Sequence, residues 1–176
     1  MSETDGGPRR RAIAPDPLTP AQRHLNMSRI RSRDTKPELL LRRALHKQGL
    51  RYRLHERSLP GTPDIVMRGR RAIILIHGCF WHAHDCPYGV TPASNAAFWS
   101  AKLARNSARD AEQLTALQVD GWRIATIWEC ALRGRARRIP SDVAETIQRW
   151  LEGEEPELQV QGDWQRSMKR PAHPGG

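Results

Sequence analysis

The chain has 176 residues and a formal charge of +10, most of it from arginine. That length suffices for one domain with a sizeable core, and arginine-rich charge suits a polyanionic partner, because the guanidinium fork matches phosphate oxygens. No apolar run approaches the roughly 18 residues of a membrane span, and the N-terminal segment has no apolar signal core, which points to a cytosolic location. Three cysteines cannot all pair with one another, and cytosolic thiols stay reduced, so metal ligation is their better use.

Residues 1–18, with Arg9-Arg10-Arg11 among glycines and prolines, read as a disordered basic arm. Thr19, Pro20 and Gln22 predict a helix start with a capping box, and this helix would carry Arg23, His24, Arg29, Arg31 and Arg33. Asp34-Thr35-Lys36-Pro37-Glu38 predicts a second start, with Leu41, Ala44 and Leu45 as the buried stripe and Gly49 as the stop. Residues 52–55 suggest an edge strand. Stronger strand signals follow at 65–67 and 72–76, joined by a turn at Arg68-Gly69-Arg70-Arg71. A long helix is expected over 95–119 with Leu103, Leu114 and Leu117 on one face, then a central strand over 122–128. Pro140 and Ser141 open a last helix that buries Val143, Ile147, Trp150 and Leu151. From Gly153 the composition reads as a flexible tail over 153–176, which leaves 19–152 as the folded domain. The expected class is α/β: a single domain with a mixed sheet flanked by helices.

The densest chemistry lies in His77-Gly78-Cys79-Phe80-Trp81-His82-Ala83-His84-Asp85-Cys86. Cys79, His84 and Cys86 supply three soft ligands, and Cys130, just past the central strand, can supply a fourth. This would make a tetrahedral structural zinc site stapling the loop to the sheet. His77 and His82 remain free to act as bases near neutral pH. Upstream, Pro63-Asp64 opening a strand before a hairpin return is the arrangement of PD-(D/E)xK nucleases, in which a carboxylate binds Mg²⁺. The acidic residue and lysine of their second motif, expected near Leu75, Ile76 and His77, are absent here. A site of this type would therefore be rebuilt around histidines. Asn106 and Asp110 lie four apart on the inward face of the long helix, where Asp110 could orient a histidine, hold metal-bound water, or pair with Arg105 or Arg109. Glu38 is the natural capping-box partner of Thr35. Phe80, Trp81 and Trp99 are candidates to wedge between base pairs, an act that costs least at a mismatch.

These residues carry a resemblance. Over roughly residues 22–150 the chain resembles the very short patch repair (Vsr) mismatch endonucleases. The likeness rests on Asn26-Met27-Ser28-Arg29-Ile30, Arg33-Asp34-Thr35, Glu38, and Ser58 through Ile65. It continues through His77 to His82, Phe98-Trp99, Asn106, Arg109-Asp110, Gly121-Trp122-Arg123, and Trp128 through Arg135. The resemblance implies a restriction-endonuclease-like core and a Mg²⁺-dependent enzyme that nicks DNA 5′ to the T of T:G mismatches left by deamination of 5-methylcytosine. It implies Asp64 and the backbone carbonyl of Ile76 as Mg²⁺ ligands and His82 as general base. His77 and Asp110 would assist through water on the metal, and Glu38 would support the site. Cys79, His84, Cys86 and Cys130 would hold structural Zn²⁺; Phe80, Trp81 and Trp99 would intercalate. Met27 and Ile30 would meet the minor groove, with Asn106 also contacting DNA. The expected setting is a bacterial cytoplasm, as a nucleoid-associated monomer that can cooperate with mismatch-repair proteins. Ile76 departs from the family's threonine, which a backbone ligand tolerates. Two rival readings are a restriction-type nuclease on paired DNA and a zinc-braced lesion-binding module without catalysis.

Overall fold

The structure, a computed structural model, describes residues 33–165 together with Thr19, Gln22 and Leu25. Elements occur in the order α1 (Lys36–Lys47), β1 (Arg53–Leu54), β2 (Ile65–Met67), a 3₁₀ turn (Arg68–Arg70), β3 (Ala72–His77) and α2 (Ala96–Val119). They continue with β4 (Arg123–Trp128), the short α3 (Glu129–Leu132), α4 (Pro140–Glu152) and β5 (Glu157–Val160). The five strands form one mixed sheet in the order β1-β2-β3-β4-β5. β1 to β3 pair antiparallel, whereas β4 runs parallel to β3 and β5 parallel to β4.

Alternation along the strands sorts side chains onto two buried faces. Ile65, Met67, Ile74, Ala125 and Ile127 face α1 and α4, and pack on Leu41, Leu45, Val143 and Ile147. Val66, Ile73 and Ile124 face the other way, toward Leu117 of α2 and Trp122. A sheet covered on both faces explains why β2 and most of β4 are apolar runs rather than alternating strands.

Local chemistry sets the helix ends. Thr35 and Glu38 form the reciprocal capping box of α1, and the same box forms between Thr19 and Gln22, whose hydrogen bonds are 2.9 and 3.2 Å. The remainder of that N-terminal helix, including Met27 and Ile30, and the arm over 1–18 lie outside the described residues. At the end of α2, Gly121 takes φ +76° so that its N–H and that of Trp122 can return to Gln118 and Leu117 carbonyls. The chain is thereby turned straight into β4.

One expectation fails. Part of the segment read as a loose tail is the edge strand β5, registered against β4 from Ile124↔Glu157 to Ile127↔Val160. Arg123 holds it: its guanidinium lies 4.6 Å over the Trp150 ring and donates to the carbonyls of Trp150, Leu151 and Glu155. Those carbonyls lie at the end of α4 and in the connection that follows, so one side chain caps the helix and aims the chain back to the sheet.

Leu41 and Ile147 are fully buried on one face of the sheet. Leu41→Ala should destabilise the protein by about 2–5 kcal/mol, read as a lower denaturant midpoint at unchanged m-value.

Candidate functional site

β3 and β4 end side by side, with His77 opposite Trp128. A cleft of about 530 Å³ opens at this end of the sheet, lined by Asp64, Ile76, His77, His82, Asp110 and His55 among others, with Arg33 and Arg109 also on its wall. Asp64, Ile76, His77, His82 and Asp110, which the sequence singled out for chemistry, are thus brought into one place from the residue before β2, β3, the following loop and α2.

Asp64 stands at the start of β2, and its Oδ2 accepts the Ile76 N–H at 2.7 Å. This bond spans the β2–β3 hairpin just beyond its paired residues and fixes the carboxylate against β3. Burial pushes the Asp64 carboxyl up to about 6. The Glu38 charge adds to this rise, while the Ile76 N–H, His55 and His82 oppose it. A carboxylate short of compensating charge, facing an open cleft, suits a hard divalent cation, so the donor set fits such an ion. His55 and Thr62, both upstream of Asp64 in sequence, adopt left-handed backbone (φ +48° and +52°), a conformation uncommon outside glycine.

His82 is the second element. Its Nδ1 lies 2.5 Å from Asp110 Oδ2. A carboxylate only accepts, so Nδ1 carries the proton and Nε2 presents its lone pair. His77 stacks flat on His82, with ring centroids 3.9 Å apart and planes within 4°. Burial depresses the His77 pKa to about 4; His82 pushes the same way and Asp110 opposes, so His77 is neutral at neutral pH. Asp110 is thus bonded to His82, one of the partners open to it from sequence. Asn106, one turn earlier on α2, donates to the Trp81 carbonyl at 3.1 Å and pins the loop that carries His82.

Glu38 is almost wholly buried, at 2% exposure, and does more than cap α1. Its Oε1 lies 3.0 Å from the Arg42 guanidinium and 3.2 Å from His55 Nε2. His55, whose N–H donates to the Asp64 carbonyl, therefore links Glu38 to the cleft. Sequence reading took His55 only as part of an edge strand; nothing local marks a partner 17 residues away.

Beside the cleft, Cys79, His84, Cys86 and Cys130 place one ligand atom each within 4.8 Å of one another. Cys79 Sγ accepts the Cys130 N–H, and Cys130 Sγ accepts the Gly162 N–H. Such N–H···S bonds favour thiolates. The Cys130 pKa falls to about 6, chiefly through its bond with Cys79, whose own thiol is pushed up in turn by that bond and by burial. His84 turns Nδ1 toward Cys130 Sγ at 3.7 Å, and its ring stacks on Trp128 at 4.0 Å. Three sulfurs and one ring nitrogen on a braced loop fit a tetrahedral soft-metal site.

The wedge candidates pack on one another. Phe80 packs edge-on against Trp81 (5.0 Å) and Trp99 (5.1 Å), and the Lys102 ammonium lies 5.2 Å from the Trp81 centroid. Trp99 is 9% exposed, inside the cluster, whereas Phe98 beside it is 54% exposed.

Residues 15–88 match the family described as DNA mismatch endonuclease Vsr. The chain is 45% identical over 130 residues to "Type II nicking enzyme V.XorIIP" of Xanthomonas oryzae pv. oryzae, covering 70% of this chain and 96% of that protein. It is 41% identical over 140 residues to "DNA mismatch endonuclease Vsr" of Escherichia coli (strain K12), covering 80% and 90% respectively. It is 40% identical over 121 residues to "Type II nicking enzyme V.NmeAIP" of Neisseria meningitidis, covering 69% and 86%.

The raised Asp64 pKa favours the protonated carboxyl in the folded state, so its contribution to stability is full below about pH 4 and is lost as pH rises through about 6. Without divalent metal, Asp64→Asn should therefore be more stable than the wild type at pH 8, by on the order of 1–3 kcal/mol, and equal to it near pH 3.5. Thermal melts across that range check this.

Proposed function

Because the chain belongs to the DNA mismatch endonuclease Vsr family, we propose that it nicks one DNA strand 5′ to the T of T:G mismatches and so starts very short patch repair. The observation that carries the reading is the His82–Asp110 pair facing the partly buried Asp64 across one cleft. A lesion-binding module gains nothing from a carboxylate aimed at phosphates, and a base oriented by a second carboxylate serves proton transfer. The restriction-endonuclease-like reading of the core draws support from the Pro63-Asp64 hairpin and its Ile76 N–H bond, with histidines standing where the lysine motif falls.

Mg²⁺ would be held by the Asp64 carboxylate and the Ile76 backbone carbonyl; when bound it polarises the scissile phosphate and stabilises the leaving oxygen. His82 Nε2 takes the proton from an attacking water, as Nδ1–H stays on Asp110, which stabilises the imidazolium that forms. Neutral His77, stacked on that ring, fixes its plane. Glu38 and His55 hold the β1 side of the cleft, and Arg33 and Arg109 receive the phosphates beside the nick. Cys79, His84, Cys86 and Cys130 would hold Zn²⁺, which braces the loop and so fixes the His82 backbone. Phe80 and Trp81, with Trp99 behind them, enter the stack beside the mismatch, where Asn106 maintains the loop.

Labelled duplexes identical except for T:G against T:A at one site, with and without Mg²⁺, test the proposal. The expected result is Mg²⁺-dependent scission of the T strand in the mismatch alone; equal cutting of both duplexes would sink it. Asp64→Ala should abolish nicking and retain binding. His82→Ala should slow single-turnover nicking by about 10²–10⁴-fold without weakening binding.

A further inference from the structure

The segment that follows β5 closes over the cysteine and histidine cluster. Gln161 Oε1 lies 3.0 Å from His84 Nε2, and the Gly162 N–H donates to Cys130 Sγ at 3.3 Å. The segment is itself tied down: Arg138 Nε donates to the Gln161 carbonyl at 2.8 Å, and the Asp163 N–H to the Ala136 carbonyl at 2.7 Å. Trp164 rests against Tyr88, two residues beyond Cys86, with ring centroids 5.8 Å apart. A Cβ at position 162 would lie 2.8 Å from the Cys130 carbonyl oxygen, so only glycine permits this approach.

We propose that Gln161 and Gly162 form the outer shell of the metal site, with Gln161 fixing the tautomer and plane of the ligand His84. The proposal rests on the zinc reading of the cluster. An amide oxygen only accepts, so His84 Nε2 must carry the proton and Nδ1, the nitrogen that faces Cys130, must present its lone pair. Stacking on Trp128 holds the ring from the side, and Trp128 Nε1–H in turn donates to Gln159 Oε1 at 3.3 Å. The Gly162 N–H offsets negative charge on the Cys130 sulfur. The C-terminal strand is then part of the metal centre, and metal retention depends on its docking against β4.

The full-length protein as purified is the starting point, with zinc per chain by elemental analysis and release followed by transfer to a colorimetric chelator. Wild type should carry one zinc per chain. Gln161→Leu, which removes the acceptor, should release zinc about tenfold faster, near the lower end for outer-shell changes because Gln161 is solvent-exposed. Gln161→Glu keeps an acceptor and should release at the wild-type rate, a rescue that a purely steric role for position 161 does not give. Circular dichroism at saturating zinc checks that each variant is folded; Gln161→Ala replaces the leucine variant if it is not. Equal release from Gln161→Leu and wild type would overturn the proposal and leave the zinc reading standing. A wild type that folds and nicks with no zinc would overturn both, and the elemental analysis tells the two failures apart.

Discussion

The parallel pairing of β3 with β4 is the constraint on which the site depends. Six residues of each strand are in register, ending with His77 opposite Trp128. Two residues further along each chain stand Cys79 and Cys130, so the register that builds the core also brings two thiols together. A slip of one residue would exchange the two faces of β4, taking Ala125 and Ile127 away from α1 and α4 and Ile124 away from Leu117, so the register is held by the packing on both faces. β5 repeats the arrangement. It runs parallel to β4 with Val160 beside Ile127, and the next two residues, Gln161 and Gly162, arrive at the same edge. Chemistry thus collects at the carboxyl ends of three adjacent parallel strands, where an open sheet leaves a crevice.

Within that crevice the carboxylates are set apart by their surroundings. Asp64 is desolvated and held by one backbone N–H, so its charge is undercompensated. Asp110 is paired with His82, and Glu38 with Arg42 and His55. Asp64 is therefore the carboxylate with most to gain from a cation, while Asp110 is already bonded to His82 and Glu38 to Arg42. Differences of partner, rather than of residue type, separate the roles proposed for them.

Most of the fold was legible because its signals are local. Short, largely apolar runs marked β2, β3 and β4, and helix starts were marked by Thr35 with Glu38 and by Pro140. The cysteine and histidine cluster was legible because few arrangements use all three thiols, and the inward position of Asp110 on α2 announced that it needed a partner. β5 was not legible. Glu157–Val160 is short and follows an acidic, proline-containing turn. Its strand character comes from pairing with β4 and from Arg123, which stands 32 residues before the Glu155 carbonyl that it holds. The His55–Glu38 contact and the Gln161–His84 contact were hidden for the same reason: each joins residues that only the tertiary fold makes neighbours. Burial of Trp99 also follows from packing, since Phe98 and Trp99 are adjacent aromatics with opposite exposures.

That burial bears on how a wedge could select its target. In the free protein Phe80, Trp81, Trp99 and Phe98 pack on one another, and each ring pair is worth about 0.5–1.5 kcal/mol beyond its area. Entering a DNA step would exchange these contacts for stacking on bases, worth about 1–3 kcal/mol per base, so the rings gain little net energy from the exchange. The outcome then turns on the cost of opening the step, a few kcal/mol in paired DNA and less at a mismatch. A ring cluster that is already satisfied is thus a better discriminator than one held ready in solvent. Exposed rings would gain on insertion anywhere, whereas packed rings tip toward insertion only where the duplex has been weakened. The Asn106 bond to the Trp81 carbonyl fits this reading, because it would hold the loop backbone still in any such exchange.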